Sequence, residues 1–143
     1  MKDRFDLDYY NSLAVGTLTG HLGIIFTRLQ EGEVIAEMDA APHLLAPNGF
    51  LHAGSLVTLA DYAAGLGCIA HLSEGALGFT TMELKTNHLS TTRSGMVECI
   101  AKPTHRGRTT QVWDAVITQK ETGKTTGKTM VLFRCTQMIL YPK

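Results

Sequence analysis

The sequence predicts an α+β protein in which an antiparallel sheet wraps around one long central helix. Three observations carry that expectation. A single stretch, residues 53–65, has the spacing of a long helix, with Leu56, Leu59, Ala60, Ala63 and Ala64 on one face. Beyond Gly78 the chain reads as one strand after another, with apolar and polar residues alternating. Short turns rich in Gly and charge join these strands, which suits an antiparallel meander.

Each element follows in order. Phe5, Tyr9 and Leu13 stand at i, i+4 and i+8 and predict a short amphipathic helix ending near Gly16 to Gly20, placed to cap one edge of the sheet or pocket. Residues 22–29 and 33–38 flank Gln30-Glu31-Gly32, a hairpin turn. In the second arm Val34, Ala36 and Met38 alternate with Ile35, Glu37 and Asp39, as a half-exposed strand should. A loop punctuated by Pro42, Pro47 and Gly49 leads into the helix. Ser73-Glu74-Gly75-Ala76 is a turn, and strands are predicted over 78–89, 96–104, 109–119 and 128–140. Lys120-Glu121-Thr122-Gly123-Lys124 is a hairpin loop with Gly123 where positive φ is needed. A sheet wrapped around the helix would bury that helix nearly all round.

One residue disturbs this pattern. Gly54, Thr58, Asp61 and Gly65 recur on a second face of the helix, and Asp61 is the only charge in the run. A buried carboxylate is costly unless it is hydrogen-bonded, paired or used. The helix start at His52-Ala53-Gly54 presents unpaired N–H groups at the positive end of the dipole. Such an end can hold a carbonyl oxygen as it becomes an oxyanion. Asp61 lies about 10–12 Å further along by helix rise. A thioester between them would offer its oxygen to the amides and its carbon to the acid or a water. The structural alternative is a core helix whose Asp bonds to a neighbouring Thr or Tyr, and the spacing leaves both open.

Composition bounds the rest. The chain has 143 residues, enough for one domain with its own core and no visible linker or repeat. Thirteen basic residues balance thirteen acidic ones, which argues against nucleic acid or an anionic membrane as partner. No stretch approaches the length of a membrane span, and Met1-Lys2-Asp3-Arg4-Phe5-Asp6 is too charged for a signal peptide. Cys68, Cys99 and Cys135 are odd in number and widely spaced, so they read as reduced thiols of a cytoplasmic protein. Cys135 as a nucleophile would need a base partner that the sequence does not advertise. Six histidines lack metal-ligand spacing, so no metal is expected, and no Gly-x-Ser-x-Gly elbow suggests an α/β-hydrolase.

His52-Ala53-Gly54 followed by Leu59-Ala60-Asp61 resembles the His-Gly-Gly…Leu-Ala-Asp/Glu pattern of hotdog-fold acyl-CoA thioesterases, and most closely the PaaI-like (phenylacetic-acid-degradation-type) branch. The spacing from His to acid is the family's, and the likeness covers nearly the whole chain. It implies a hotdog fold and hydrolysis of an acyl-CoA thioester. No cofactor is implied, because coenzyme A belongs to the substrate. It also implies a homo-oligomer, a dimer or a dimer of dimers (a homotetramer), with active sites shared between subunits. A lone sheet on one helix would otherwise leave an edge open.

Carried over residue by residue, the resemblance makes Asp61 the nucleophile or general base and the Ala53 amide the oxyanion donor. Gly54 would allow close approach of the acyl chain, and His52 would shape the oxyanion site or simply cap the helix. Apart from the resemblance, Phe50, Leu51 and Leu56 by their own apolar character hint at an apolar pocket. Thr81, in Thr81-Met82-Glu83-Leu84-Lys85, matches a strand position whose hydroxyl can orient water; otherwise it is an ordinary strand residue. His105-Arg106-Gly107-Arg108 resembles the family's His-x-Gly-Arg segment beside the CoA pantetheine and nucleotide. Both arginines suit phosphate, though a solvated hairpin tip looks the same.

Two departures stand out. Ala53 replaces the first Gly of the pattern, which keeps the amide but adds a methyl. Ala46 occupies the position six residues before the His, where the family often has Asn or Gln. Asn48 would substitute, or else serve as a turn residue in Pro47-Asn48-Gly49 that tolerates left-handed φ. A non-catalytic acyl-CoA or lipid-binding hotdog module would share every one of these features except turnover. A hotdog hydratase would need an Asp-x-x-x-x-His pattern that the chain lacks.

Overall fold

A computed structural model describes residues 3–121 and 127–143. Helix α1 (Leu7–Ser12) starts at Asp6, whose carboxylate accepts the Tyr9 N–H at 3.0 Å. A second turn of helix, α2 (Leu18–His21), follows with Thr17 as its N-cap. Periodicity did not predict it, because four residues make too short a window for a helical repeat. Gly20 is required there, since a Cβ would lie 2.1 Å from the Ala14 carbonyl oxygen.

Strands β1 (Ile25–Gln30) and β2 (Glu33–Asp39) pair antiparallel across Gly32, whose φ is 73°. Val34, Ala36 and Met38 are buried, as their alternation predicts. The central helix α3 (Ala53–Ala70) leads to β3 (Gly78–His88), β4 (Met96–Arg106), β5 (Thr110–Gln119) and β6 (Thr129–Leu140). The strands form one antiparallel sheet in the order β1-β2-β4-β5-β6-β3. This is the hotdog arrangement, but it is not a sequential meander. Helix α3, about 27 Å long, carries the chain across the sheet, so β3 lands at the far edge and β4 returns to pair with β2. The turn expected at Thr122, Gly123 and Lys124 lies outside the described residues.

Leu56, Leu59, Ala60, Ala63, Ala64 and Cys68 of α3 pack against the inward rows of β2, β4, β5 and β6. Closest approach is at Gly67, where a Cβ would meet the Trp113 ring at 2.5 Å. The helix is nonetheless not buried all round: Val57, Thr58, Asp61 and Tyr62 are half-buried and Gly54 is exposed. Six strands cover one side only, and α1 and α2 shield part of the other. The sequence reading of no membrane-length stretch also needs correction. Helix α3 has 18 residues with a mean hydropathy of 1.3, long and apolar enough to cross a membrane, yet more than half of it packs inside the protein. Its apolarity is that of a core helix.

The other face of the sheet alternates charge with an apolar row. Ile35, Ile100, Val116 and Leu132 lie side by side in register. Next to them Glu33 pairs with Lys102 at 3.5 Å, and Asp114 accepts a two-pronged contact from Arg134 at 2.5 and 2.8 Å.

Candidate active site

The α3 N-terminus is capped by its own flanking residue. His52 Nδ1 accepts the Gly54 N–H at 2.8 Å, which places the ring proton of neutral His52 on Nε2. The Ser55 and Leu56 amides bond to the His52 carbonyl at 3.0 and 3.4 Å. The Ala53 N–H, by contrast, has no acceptor among the described residues. Gly54 has a steric reason of its own, because a Cβ would lie 3.0 Å from His52 Nδ1 and push away the capping ring.

Ahead of the helix, Asn48 Oδ1 accepts the Phe50 N–H at 3.1 Å, a side-chain turn that does not use its amide Nδ2. The left-handed residue of this turn is Gly49 (φ 82°), not Asn48. Asn48, Phe50, Leu51, His52 and Ala53 thus share one hollow of about 330 Å³, together with Ala46 and with His88, Ser90 and Thr91 from the end of β3. The last three were not singled out as site residues. They reach the hollow only because β3 runs back toward the helix start. Arg93 covers the rim, with its guanidinium 4.0 Å from the centre of the Phe50 ring.

Asp61 lies two turns further on and faces a second, larger cleft of about 620 Å³. Tyr62, Gly65, Phe26, Phe79, Tyr9 and Tyr10 make up much of its wall. Asp61 Oδ1 is buried and has no hydrogen-bond partner among the described residues, and burial raises the carboxyl above its ordinary value. The alternative in which a neighbouring Thr or Tyr satisfies this oxygen is therefore not realised. An unpartnered acid with a raised affinity for protons, standing in an apolar cleft, is poised to take a proton or attack a carbonyl.

Other residues stand apart in the single chain. Thr81 is exposed on edge strand β3, opposite Gln137, and lines neither cavity. His105, Arg106, Gly107 and Arg108 form the β4–β5 turn at the C-terminal end of α3. There Arg106 pairs with Glu31, and Glu31 lies 3.5 Å from His71, the C-cap of α3. Arg108 stacks over Tyr141 at 5.0 Å, and its carbonyl accepts the Tyr141 hydroxyl at 2.7 Å. Gly107 closes the turn, its N–H bonding to Thr110 at 2.8 Å. Within one chain this turn is a helix length from Ala53. Cys135 is buried and pushed up to about 12 by desolvation, which removes it as a nucleophile at neutral pH.

Residues 48–126, more than half of the chain and all of α3, match the thioesterase superfamily. The chain is 34% identical to the proofreading thioesterase EntH of Klebsiella pneumoniae over 116 residues, covering 81% of this chain and 84% of that protein. It is 30% identical to a 1,4-dihydroxy-2-naphthoyl-CoA hydrolase of Listeria monocytogenes over 115 residues, 80% of this chain and 89% of the relative. A solved thioesterase from Haemophilus influenzae superposes with a TM-score of 0.87 at 31% identity, over 96% of this chain and 92% of that one. With a six-stranded antiparallel sheet around α3 and these relatives, the chain belongs to the thioesterase superfamily and has the hotdog fold.

Proposed function

We propose that the protein hydrolyses acyl-CoA thioesters at a site completed by a second copy of the chain. The observation that carries this reading is Asp61, a carboxylate without a partner in an apolar cleft. A free Ala53 N–H in the neighbouring hollow supports it. Reacting groups must each come within about 3 Å of the carbonyl. Along one helix Ala53 and Asp61 are about 12 Å apart, so one chain cannot present both to the same thioester. Two copies with α3 helices antiparallel would set each Asp61 against the other copy's Ala53.

Edge strand β3 supplies a surface for that pairing. Its outer backbone groups have no neighbouring strand among the described residues, and Leu77, Met82, Leu84 and Leu89 on and beside it are exposed. At such a site the Ala53 amide holds the thioester oxygen as charge develops on it. Asp61 either removes a proton from water, whose oxygen attacks the carbonyl carbon, or attacks directly to form a mixed anhydride that water then cleaves. In both routes the C–S bond breaks and the CoA thiolate takes up a proton. Asn48 Nδ2 and His52 Nε2–H are donors on the hollow's wall, and either can assist in place of the amide side chain missing at Ala46. His105, Arg106 and Arg108 are assigned to the CoA phosphates, with Arg106 leaving Glu31 to do so. Thr81, on the pairing edge, would reach the site only from the second copy.

Replacing Asp61 by Asn tests the reading. Hydrolysis should fall about a hundred- to ten-thousand-fold, while affinity for a thioether analogue of the substrate stays similar. A wild-type protein that binds acyl-CoA without turning over short, medium or aryl thioesters would instead be a binding module.

A further inference from the structure

We infer that the N-terminal segment, α1 and α2, is the selectivity wall for the acyl group and that Asn11 is the residue that positions it. This rests on the reading of the Asp61 cleft as the place where the acyl part of a thioester lies. The wall is built from a part of the chain outside the matched residues 48–126. Tyr9, Tyr10 and Leu13 come from α1 and the turn after it, and Thr17 and Thr19 from α2 and its cap. They face Asp61, Tyr62 and Gly65 of α3 across the cleft. An acyl chain with its carbonyl at Asp61 packs against these residues once it is long enough to cross, and gains their apolar contact. A short acyl group never reaches them.

What holds the wall in place is one side chain. Asn11 Nδ2 donates to the Phe26 carbonyl and Asn11 Oδ1 accepts the Phe26 N–H, both at 2.9 Å. An N–H can only donate and a carbonyl can only accept, so the amide orientation is fixed by its partners. Asn11 thereby occupies the outer edge of β1 as a strand would, at the residue whose ring forms the cleft floor. The Phe26 ring in turn lies 4.6 Å from that of Tyr62, next to Asp61. Anchor, wall and acid are joined through one residue of the sheet edge. Leu13 lines the cleft while remaining 51% exposed, so a larger side chain there has solvent to one side.

Two variants and two readouts test this. Asn11→Ala frees the wall, and Leu13→Trp brings it inward without removing a buried contact, so it stays informative if the first fails to fold. Each is assayed for kcat/KM on acetyl-, butyryl-, hexanoyl- and octanoyl-CoA, and for binding of the corresponding S-alkyl-CoA thioethers, which cannot be hydrolysed. In both variants the octanoyl-to-acetyl ratio should fall about tenfold or more, the scale on which a pocket discriminates methylenes. For Asn11→Ala the loss should appear in KM, with thioether affinity falling in step. A uniform drop across all lengths, or an unchanged ratio in both variants, overturns the wall. Length-dependent thioether binding without wild-type turnover keeps the wall and removes the hydrolase reading.

Discussion

Asp61 and His52 show how two polar side chains on one helix come to different uses. His52 spends its Nδ1 on the Gly54 amide and leaves the next donor, Ala53 N–H, open to the hollow. Replacing it with Ala should destabilise the fold by about 0.5–2 kcal/mol, as loss of an N-cap does, and the midpoint of urea unfolding would show it. Asp61 has the opposite character, since burial raises its carboxyl and nothing offsets the cost of ionisation. Its folded form therefore holds a proton more tightly than the unfolded chain. Between the ordinary carboxylate range and the raised value the folded state binds more protons, and stability falls as pH rises through that window. Asp61→Asn should remove this penalty and raise Tm at neutral pH, with little change in acid. The acid limb of the wild-type kcat/KM profile should likewise sit above the usual Asp range, because the proposed mechanism needs the deprotonated form. A limb at the ordinary Asp value would contradict a role for this carboxyl.

At the scale of elements, β3 is an edge strand with little of its surface buried in the single chain. Met82→Asp changes a side chain that is 57% exposed in the monomer. It should leave the fold intact, shift light scattering toward the monomer and abolish hydrolysis together with it. A monomeric variant that keeps full activity would remove the shared site. The strands were legible because burial on one face imposes a period of two, and Trp113, Ala115 and Ile117 are all buried as that period requires. Helix α3 was legible for the same kind of reason. Strand order was not, because pairing across a crossover leaves no local trace in either strand. The hollow at Ala53 could be read from the motif, and the spacing of Tyr9 and Leu13 already put a helix at the edge of the sheet or pocket, whereas the place of Thr17 and Thr19 could not be read. The wall's residues reach the cleft through the Asn11 contact to Phe26, which is fifteen residues away in sequence.

Across the whole molecule, the thiols report on how tightly the sheet closes over α3. Cys68 and Cys135 are buried and pushed up to about 12, chiefly by desolvation, and Cys99 is pushed higher still. A thiol reagent at neutral pH should label none of them in the native protein and all three after unfolding. Rapid native labelling would mean that the core opens more often than its packing implies.

The contact between Gly67 and Trp113 has a consequence for the acid two turns away. Trp113 cannot yield, because its ring is fully enclosed and its Nε1 is tied to Gln111 at 2.8 Å. The missing methyl group at position 67 is thus a spacer of zero thickness that sets how deeply the helix seats. Gly67→Ala would act as a shim: the rod must tilt about that flat ring, at about 1–3 kcal/mol for overpacking, and, at the proposed shared site, carry the carboxylate away from the amide it would face. A protein so altered would melt a little earlier and catalyse far worse, though the change touches nothing in either cavity.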